Sequence, residues 1–296
     1  MIPTLLIVAI ITFTLAQLAP GSPFDRNPDK PPSAETIARW NAYYGLDRPI
    51  PEQFVRWLGH VVQGDFGTSI LRLRPVNEII AEGFPTTAQL GIQALLLALA
   101  VALPFGIISA LRQNTAVDYV SLFFATVGTT IPGFVLSIFL IYLLGVWLGW
   151  LPFVGWTTWK HWIMPTVILS LGTAAFLTRI TRASMLEAIR QDYVRTARSK
   201  GLGEQIVILV HMLRNALIPV VTVIGPAAAG LITGSFIIES IFSIPGIGRE
   251  YIRSILGLDY PVIMATTLLY AFFIAIANLS VDLVYGVLDP RIKVGR

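Results

Sequence analysis

A polar segment separates two apolar stretches at residues 187–219, which read EAIRQDYVRTARSKGLGEQIVILVHMLRNALIP. Apolar residues recur at helical spacing on both sides of Gly201: Met185, Ile189, Tyr193 and Ala197 before it, and Ile206, Leu209, Val210 and Leu213 after it. We predict two short helices that meet at Gly201, the first over residues 183–199, because glycine allows a turn with positive φ that most residues resist. Such a pair is either a docking surface or a solvated loop whose charges only set the topology, and the spacing does not distinguish the two.

The composition is that of a polytopic membrane protein. Of 296 residues, 55% are hydrophobic and 13% charged, and the mean hydropathy is +0.72. A soluble domain of this length is less apolar. The formal charge of +4 does not indicate nucleic-acid binding, because the basic residues lie in loops beside apolar segments, where the positive-inside rule explains them. The lack of cysteine excludes disulfides and thiolate chemistry.

Six apolar segments are predicted to be transmembrane helices: Ile2–Leu18, Thr86–Ile108, Tyr119–Leu148, Ile163–Thr178, Leu217–Ile238 and Val262–Val287. A signal peptide is the alternative for the first, although no basic leader precedes it. Pro132-Gly133 predicts a kink or break in the third. We divide the chain into a first transmembrane helix at residues 1–19, a region outside the bilayer at 20–85, and a core at 86–290 with five transmembrane helices and the polar loop 179–216.

The region 20–85 is rich in proline and nearly balanced in charge, with seven Lys/Arg and eight Asp/Glu. We predict a helix between Ser33 and Gly45, and a further short helix from Val76 that stops before Pro85. Between them, an apolar stripe predicts an amphipathic helix that lies against the membrane surface or the spans: Phe54, Trp57, Leu58, Val61 and Val62.

The distribution of positive charge predicts the orientation. Residues 179–214 carry seven Lys/Arg against three Asp/Glu, Arg112 lies in the loop after the second span, and the tail adds Arg291, Lys293 and Arg296. With six spans, these segments share one side of the membrane. The positive-inside rule makes that side cytoplasmic, so both termini are inside and region 20–85 is outside.

Few residues in the predicted spans are suited to chemistry or ion binding. Asp282 is the one ionisable residue that we place well inside a span. Ion-coupled carriers usually need such groups, but a lone carboxylate three residues before Tyr285 is more typical of a packed, hydrogen-bonded group. The sequence has no G-x-x-x-x-G-K-[ST] motif. Its three histidines, at 60, 161 and 211, show neither metal-ligand spacing nor a Ser-His-Asp arrangement.

We therefore predict no catalytic site, no metal and no cofactor in this chain. Energy for transport would come from another chain, which would bind at the polar loop. The small residues of the fifth span, Gly225, Gly230 and Gly234, predict close helix packing, with a path for a bulky solute as the alternative. Residues 239–261 are turn-rich and suggest a hairpin that dips into the protein.

The polar loop resembles a known motif. Residues 192–202, DYVRTARSKGL, followed by HMLRNALIP at 211–219, are similar to the "EAA" loop of binding-protein-dependent ABC importer permeases of the peptide and nickel group. Further stretches resemble that group in the same order: LAPGSPF (18–24), GDFGTS (64–69), GLITGS (230–235) with Glu239, PGIG (245–248), DYP (259–261) and LDPRI (288–292). Within the group, the phrasing is most similar to the B subunits of oligopeptide permeases.

This resemblance implies a type I ABC importer (MetI-like) permease fold, an all-α polytopic membrane protein with six transmembrane helices and cytoplasmic N- and C-termini. It implies a multi-pass permease subunit in the plasma (inner) membrane of a prokaryote that imports oligopeptides. Dipeptides, nickel, glutathione or peptide-like antibiotics are alternative cargoes. A secondary carrier or channel acting alone is the alternative from another class.

The implied partners are a second homologous permease subunit, two ATPase subunits that bind ATP and Mg, an extracytoplasmic peptide-binding protein and membrane lipid, but no nucleic acid. The resemblance transfers an ATPase-coupling helix with its flanks: Glu187, Ala188, Asp192, Tyr193, Thr196, Ala197, Lys200, Gly201, Leu202, Asn215 and Pro219. We interpret a second set as lining the translocation path: Gly225, Gly230, Gly234, Glu239, Pro245, Gly246 and Gly248.

Overall fold

The computed structural model describes residues 1–18, 35 and 48–288, with side chains up to residue 280. The helix predicted between Ser33 and Gly45 lies almost entirely outside these residues, as do the basic tail and the side chain of Asp282. The regular elements of the described part are helices, with one isolated antiparallel bridge between Thr68 and Pro75.

The helices are α1 (Ile2–Leu18), α2 (Ile50–Val62), α3 (Val76–Leu111), α4 (Ala116–Thr130), α5 (Gly133–Leu140), α6 (Trp159–Ile189), α7 (Asp192–Ser199), α8 (Glu204–Ile206), α9 (Leu213–Ile232), α10 (Phe236–Ile241), α11 (Ile247–Leu256) and α12 (Tyr260–Leu288). Two π-helical segments follow α5 and α8 directly, at Ile141–Trp147 and Val207–Met212.

Among the described residues, four helical stretches are long and apolar enough to cross a membrane: Val76–Leu111, Trp159–Ile189, Glu204–Ile241 and Tyr260–Ser280. The broken pair Ala116–Thr130 and Gly133–Trp147 makes a fifth if it counts as one span. The first apolar helix, α1, has 17 residues and is shorter than these. The part of the chain that the structure describes is therefore helical, with four or five candidate spans.

The predicted break in the third span is confirmed. Its two halves are bent by 99° where α4 gives way to α5. The residue before a proline is pushed out of the helical region, and Ile131 accordingly has φ −82° and ψ 121°. Pro132 then caps α5, because its carbonyl accepts the first helical hydrogen bond, from Val135 N at 3.0 Å. Local chemistry alone accounts for this feature.

The predicted stop before Pro85 was wrong. Helix α3 runs for 36 residues and joins the predicted short helix to the second span. Proline removes one helical hydrogen bond, but a membrane helix tolerates it where neighbouring groups satisfy the freed carbonyl. Val76 is fully buried near the start of α3 and Leu90 beyond the proline, so packing on both sides of Pro85 favours a continuous helix.

The fourth and fifth spans also have different limits from those predicted. Helix α6 has 31 residues and includes the first part of the predicted loop 179–216. The fifth helical stretch begins at Glu204, well before Leu217, and α9 ends at Ile232. A break with Gly234 at φ +81° separates α9 from α10.

The chain divides into two compact units, of which the first comprises residues 1–86 and 245–273. In this unit, the predicted stripe of α2 is partly confirmed, because Phe54 packs edge-on and Trp57 tilted against Phe13 of α1, with ring centroids 5.3 and 5.6 Å apart. Val62, at the end of the stripe, is 80% exposed. A second apolar cluster joins α3 to α12 through Val76, Ile79, Val262 and Ala265.

The second unit comprises residues 87–244 and 274–296. One of its cores lies around Leu90, Met164, Ile168, Ile238, Phe242 and Ile244, and another around Ala102, Leu177 and Val220. Gly91 of α3 packs directly on the backbone of α9, since a Cβ there would overlap the carbonyl oxygen of Leu231. The close helix packing predicted for the fifth span is therefore present here, but the glycine that permits it is Gly91 of α3 and not a glycine of the fifth span.

Candidate functional site

The polar loop begins with a break that the sequence did not indicate. Helix α6 ends at Ile189, and α7 begins at Asp192 after a turn in which Gln191 adopts φ −75° and ψ 148°. The predicted single helix over 183–199 was therefore wrong. The break turns Val194 inward, at 0% exposure, whereas Tyr193 of the predicted stripe is 38% exposed.

Gly201 ends α7 in the conformation predicted for it, with φ +77°. The Gly201 amide donates to the carbonyl of Arg198 at 2.9 Å, and the Leu202 amide donates to that of Ala197 at 3.4 Å. These two bonds form a Schellman motif, which satisfies carbonyls at a helix end and needs a left-handed residue after the cap. Gly201 is required for its backbone, since nothing lies within 4 Å of where its Cβ would be.

An ion pair spans the turn that Gly201 makes. The Arg198 guanidinium donates to both carboxylate oxygens of Glu204, from Nη2 at 2.5 Å and from Nε at 3.1 Å. The hydrogen-bonded Glu204 carboxylate raises the pKa of Arg198. Both side chains are about half exposed, so solvent screens the pair. The pair bridges α7 and α8 across the turn, and the sequence did not predict it.

The inner face of the loop packs on a single apolar cluster, which we call the loop core. Its buried members are Ala110, Met185, Ala188, Val194, Ala197, Val207, Met212 and Ala216. The helix predicted after Gly201 is present, but the residues whose spacing indicated it are not its buried face, because Ile206, Leu209 and Val210 are 49%, 63% and 53% exposed. The cause is the π-helical segment Val207–Met212, which has wider turns than an α-helix and shifts the buried face to Val207 and Met212.

The outer face of the loop is polar and open. The side chains of Asp192 and Arg195 are 96% and 75% exposed, and Thr196 and Lys200 are exposed beside them. Tyr193 and Leu202 add partly exposed apolar surface, at 38% and 37%. This face presents charged and aromatic side chains on a short helix whose other side packs on the loop core.

The transferred coupling residues thus separate into two groups. Ala188 and Ala197 are buried in the loop core, each 4% exposed. Glu187, Asn215 and Pro219 are exposed, with Asn215 Nδ2 donating to the carbonyl of His211 at 3.2 Å. The remaining members lie on the outer face or, in the case of Gly201, form its end.

The residues interpreted as path lining do not share one environment. Gly230 is exposed, with nothing within 4 Å of where a Cβ would stand, whereas Gly234 closes against Thr87 and Glu239. Glu239 is fully buried and accepts a hydrogen bond from Thr87 Oγ1 at 3.1 Å. Gly225 is half-buried, Pro245 is exposed, and Gly246 and Gly248 are buried.

Some buried ionisable groups of the spans were not predicted from the sequence. Asp118 is 1% exposed and pairs with Arg182 of α6, which we had assigned to the loop. Glu239 is also buried, in a stretch that we read as turn-rich. Asp118 and Arg182 are 64 positions apart and stand in different predicted segments, so no local pattern connects them.

Fold and loop together define a class: a membrane-integral helical subunit with a structured polar loop between two spans. Residues 102–294 match the profile of the family described as binding-protein-dependent transport system inner membrane component. Residues 1–91 match the N-terminal domain of the membrane components of binding-protein-dependent transport systems. The chain belongs to this family and is an inner-membrane component of such a transport system.

Named relatives cover nearly the whole chain. It is 42% identical over 294 residues to the dipeptide transport system permease protein DppB of Bacillus subtilis, with 99% of this chain and 95% of the relative covered. It is 41% identical to the glutathione transport system permease protein GsiC of Salmonella paratyphi A, with 99% and 96% covered. The oligopeptide transport system permease protein AppB of Bacillus subtilis is also 41% identical, with the same coverage.

Solved structures support the fold. The methionine ABC transporter MetNI in an inward-facing conformation aligns with a TM-score of 0.58 at 19% identity, covering 71% of this chain and 96% of that one. An amino acid ABC transporter aligns with a TM-score of 0.52 at 16% identity, covering 73% and 94%. The predicted all-helical permease fold of type I ABC importers is confirmed at this level.

Proposed function

We propose that this chain is the permease subunit of an ATP-driven importer for peptides, with the ATP hydrolysed by separate subunits. The observation that carries the proposal is the similarity, over 99% of the chain, to permeases named for dipeptides, oligopeptides and glutathione. These cargoes share a peptide backbone. Oligopeptides are our first choice, and dipeptides, glutathione, nickel and peptide-like antibiotics are the alternatives.

We place the ATPase contact on the outer face of α7. Its exposed side chains, Asp192, Tyr193 and Arg195, form a surface for a partner, while Val194 and Ala197 fix the helix from below. A rigidly seated helix transmits displacement, whereas a solvated loop absorbs it. Closure of an ATPase dimer would push α7, and the span bundle would change from inward-open to outward-open.

The proposal includes a topology of six spans with both termini in the cytoplasm. Helix α1 would be the first span, and the broken pair α4 and α5 the third. A second, homologous permease would complete the path, and an extracytoplasmic binding protein would deliver cargo beside region 20–85. We keep Gly230 as the leading candidate for lining, because it is exposed within an apolar span.

A single introduced cysteine tests the docking face, since the natural sequence has none. Arg195→Cys lies on the outer face of α7, and Lys160→Cys lies in the first turn of α6, at the predicted outer end. We expect a short thiol crosslinker to join Arg195→Cys, but not Lys160→Cys, to the ATPase in isolated membranes. Crosslinking at Lys160→Cys alone would mean that the proposed topology is reversed. Crosslinking at neither position would mean that the ATPase does not bind at α7.

Cargo is tested by uptake in cells that depend on this importer. Labelled peptides of two to six residues, glutathione and Ni²⁺ would be supplied separately. We expect uptake of peptides and competition among them. Uptake of Ni²⁺ alone would replace the peptide assignment while leaving the importer assignment intact.

A carrier acting alone is the competing class. Buried ionisable groups in such a protein usually bind the coupling ion. In this structure Asp118 is neutralised by a bidentate arginine, and Glu239 lies against Thr87. The first of these is saturated by fixed protein donors, which favours a structural role over the binding and release of an ion.

A further inference from the structure

The buried carboxylate of Asp118 connects several elements of the second unit. It lies in the first turn of α4 and accepts hydrogen bonds from Arg182 Nε at 2.7 Å and Arg182 Nη2 at 2.8 Å. Ser109 Oγ of α3 donates to it at 2.5 Å, and the Asn114 amide of the connecting turn donates at 2.9 Å. A carboxylate offers about four acceptor positions, so the site is saturated. The cluster of Ser109, Asn114, Asp118 and Arg182 is called the joint below.

A second arginine extends this connection along α4. Arg179 lies one turn before Arg182 on α6, and its Nη2 donates to the Ala125 carbonyl at 3.0 Å and to Thr129 Oγ1 at 2.8 Å. Further along, a Cβ on Gly128 would lie 3.2 Å from the Cβ of Ala175. Helices α4 and α6 are therefore in contact over most of the length of α4.

The joint is also continuous with the loop core. Ser109 precedes Ala110, and Arg182 lies one turn before Met185; both Ala110 and Met185 are buried members of that core. Val194 and Ala197 of α7 pack on the same core. A displacement of α7 therefore meets a packed cluster that adjoins the joint along the chain, through Ser109 on α3 and Arg182 on α6.

We propose that the joint is a transmission element: Asp118 and Arg182 are positioning residues that make α3, α4 and α6 move as one body when α7 is displaced. The movement would then reach the break at Pro132, where α4 meets α5. This inference rests on the proposed docking of an ATPase at α7. It assigns a function to the buried charges that the family resemblance did not include.

The first test removes each charge in turn, and Asp118→Asn also keeps the shape of the side chain. Asp118→Asn and Arg182→Gln would be assayed in the complete complex with its binding protein in proteoliposomes, measuring peptide uptake and ATP hydrolysis together. We expect the ATPase to remain bound and the uptake per ATP to fall at least tenfold. Arg112→Gln is the matched control, because Arg112 is an exposed cation in the same connecting turn and donates nothing to Asp118.

The outcomes of this test are distinct. Normal uptake per ATP in Asp118→Asn, with the ATPase crosslinked at Arg195→Cys, would overturn the joint and leave the proposed function standing. Loss of the ATPase from the Asp118→Asn complex would also overturn it, because the cluster would then only maintain the fold of the loop. Failure of crosslinking at Arg195→Cys in the otherwise unchanged chain is a separate result, which would remove the proposed docking of the ATPase at α7 on which this inference rests.

A second test keeps the joint intact. The pair Gly128→Cys and Ala175→Cys places two Cβ atoms 3.2 Å apart. This is slightly less than the usual disulfide range of about 3.5–4.5 Å, so the two helices must move apart by a few tenths of an ångström for the bond to form. If α4 and α6 move as one body, a disulfide there will leave at least half of the uptake of the reduced protein. Loss of uptake on oxidation, with recovery on reduction, would mean that α4 moves against α6 during transport and would overturn the proposal.

Discussion

Replacing Gly201 with valine is expected to impair coupling through the backbone alone. The residue has φ +77°, and a Cβ there would meet nothing within 4 Å. Crowding is therefore absent, and the cost is that of a left-handed conformation, about 1–2 kcal/mol for an ordinary residue and more for a β-branched one. This lowers the ratio of native to opened turn by a factor of about 5–30. We expect uptake to fall at least about fivefold, because the Schellman motif that ends α7 opens.

Gly203 provides the matched control two residues away. It has φ −61° and ψ 142°, which any residue adopts, and it too has nothing within 4 Å of a Cβ. Gly203→Val should therefore retain uptake, and Gly201→Asn should be intermediate, since asparagine tolerates the left-handed region. The assay is uptake and ATP hydrolysis in the reconstituted complex, with complex assembly checked by copurification. Equal effects at 201 and 203 would refute the backbone explanation.

Two further sets of substitutions test the packing of each unit. Gly91→Ala should lower stability by about 1–3 kcal/mol, because the added Cβ overlaps the carbonyl oxygen of Leu231. Gly230→Ala faces open space and should instead gain up to about 1 kcal/mol from helix propensity. The Tm values of the two variants in detergent compare these effects, and equal Tm values would contradict the close approach of Gly91 to α9. Asp259→Asn should loosen residues 69–71, because the buried carboxylate accepts hydrogen bonds from Ser69 Oγ and the Ile70 and Leu71 amides at 2.5, 3.0 and 3.1 Å. The asparagine amide keeps only one acceptor oxygen, so about 1–3 kcal/mol of local stability should be lost. The measurement is the rate of protease cleavage at residues 69–71, which should rise in the variant. An unchanged cleavage rate would contradict this role of Asp259.

Features set by local chemistry could be predicted from the sequence. The break at Pro132 follows from the missing amide and from the restriction on the preceding residue. The positive φ of Gly201 follows from its position after an amphipathic turn. Long apolar runs predicted most of the spans, and the family motifs predicted the permease fold.

Features set by packing could not be predicted. Pro85 was read as a stop because its local cost is visible, while the burial that stabilises α3 on either side is not. The π-helical segment after Glu204 shifted the buried face of the loop to Val207, and nothing in an α-helical spacing indicates such an insertion. Asp118 and Arg182 are 64 positions apart in the sequence and meet only because α4 and α6 pack together. Periodic patterns relate only residues that are a few positions apart.

The membrane topology and the second permease subunit are proposals that go beyond the helices themselves. The described residues give four or five candidate spans, and the proposed topology has six with cytoplasmic termini. The domain limits at residues 19 and 85 are likewise predictions, the first of them lying outside the described residues. Crosslinking at Arg195→Cys and Lys160→Cys addresses the orientation directly.

The central claim is that this chain transports peptide only as part of an ATP-driven complex. The most direct measurement compares two sets of proteoliposomes, one with the complete complex and binding protein and one with this chain alone, under an ion gradient with and without ATP. We predict accumulation of labelled peptide only in the complete complex with ATP, and none with a hydrolysis-deficient ATPase. Gradient-driven uptake by this chain alone, without ATP, would contradict the claim.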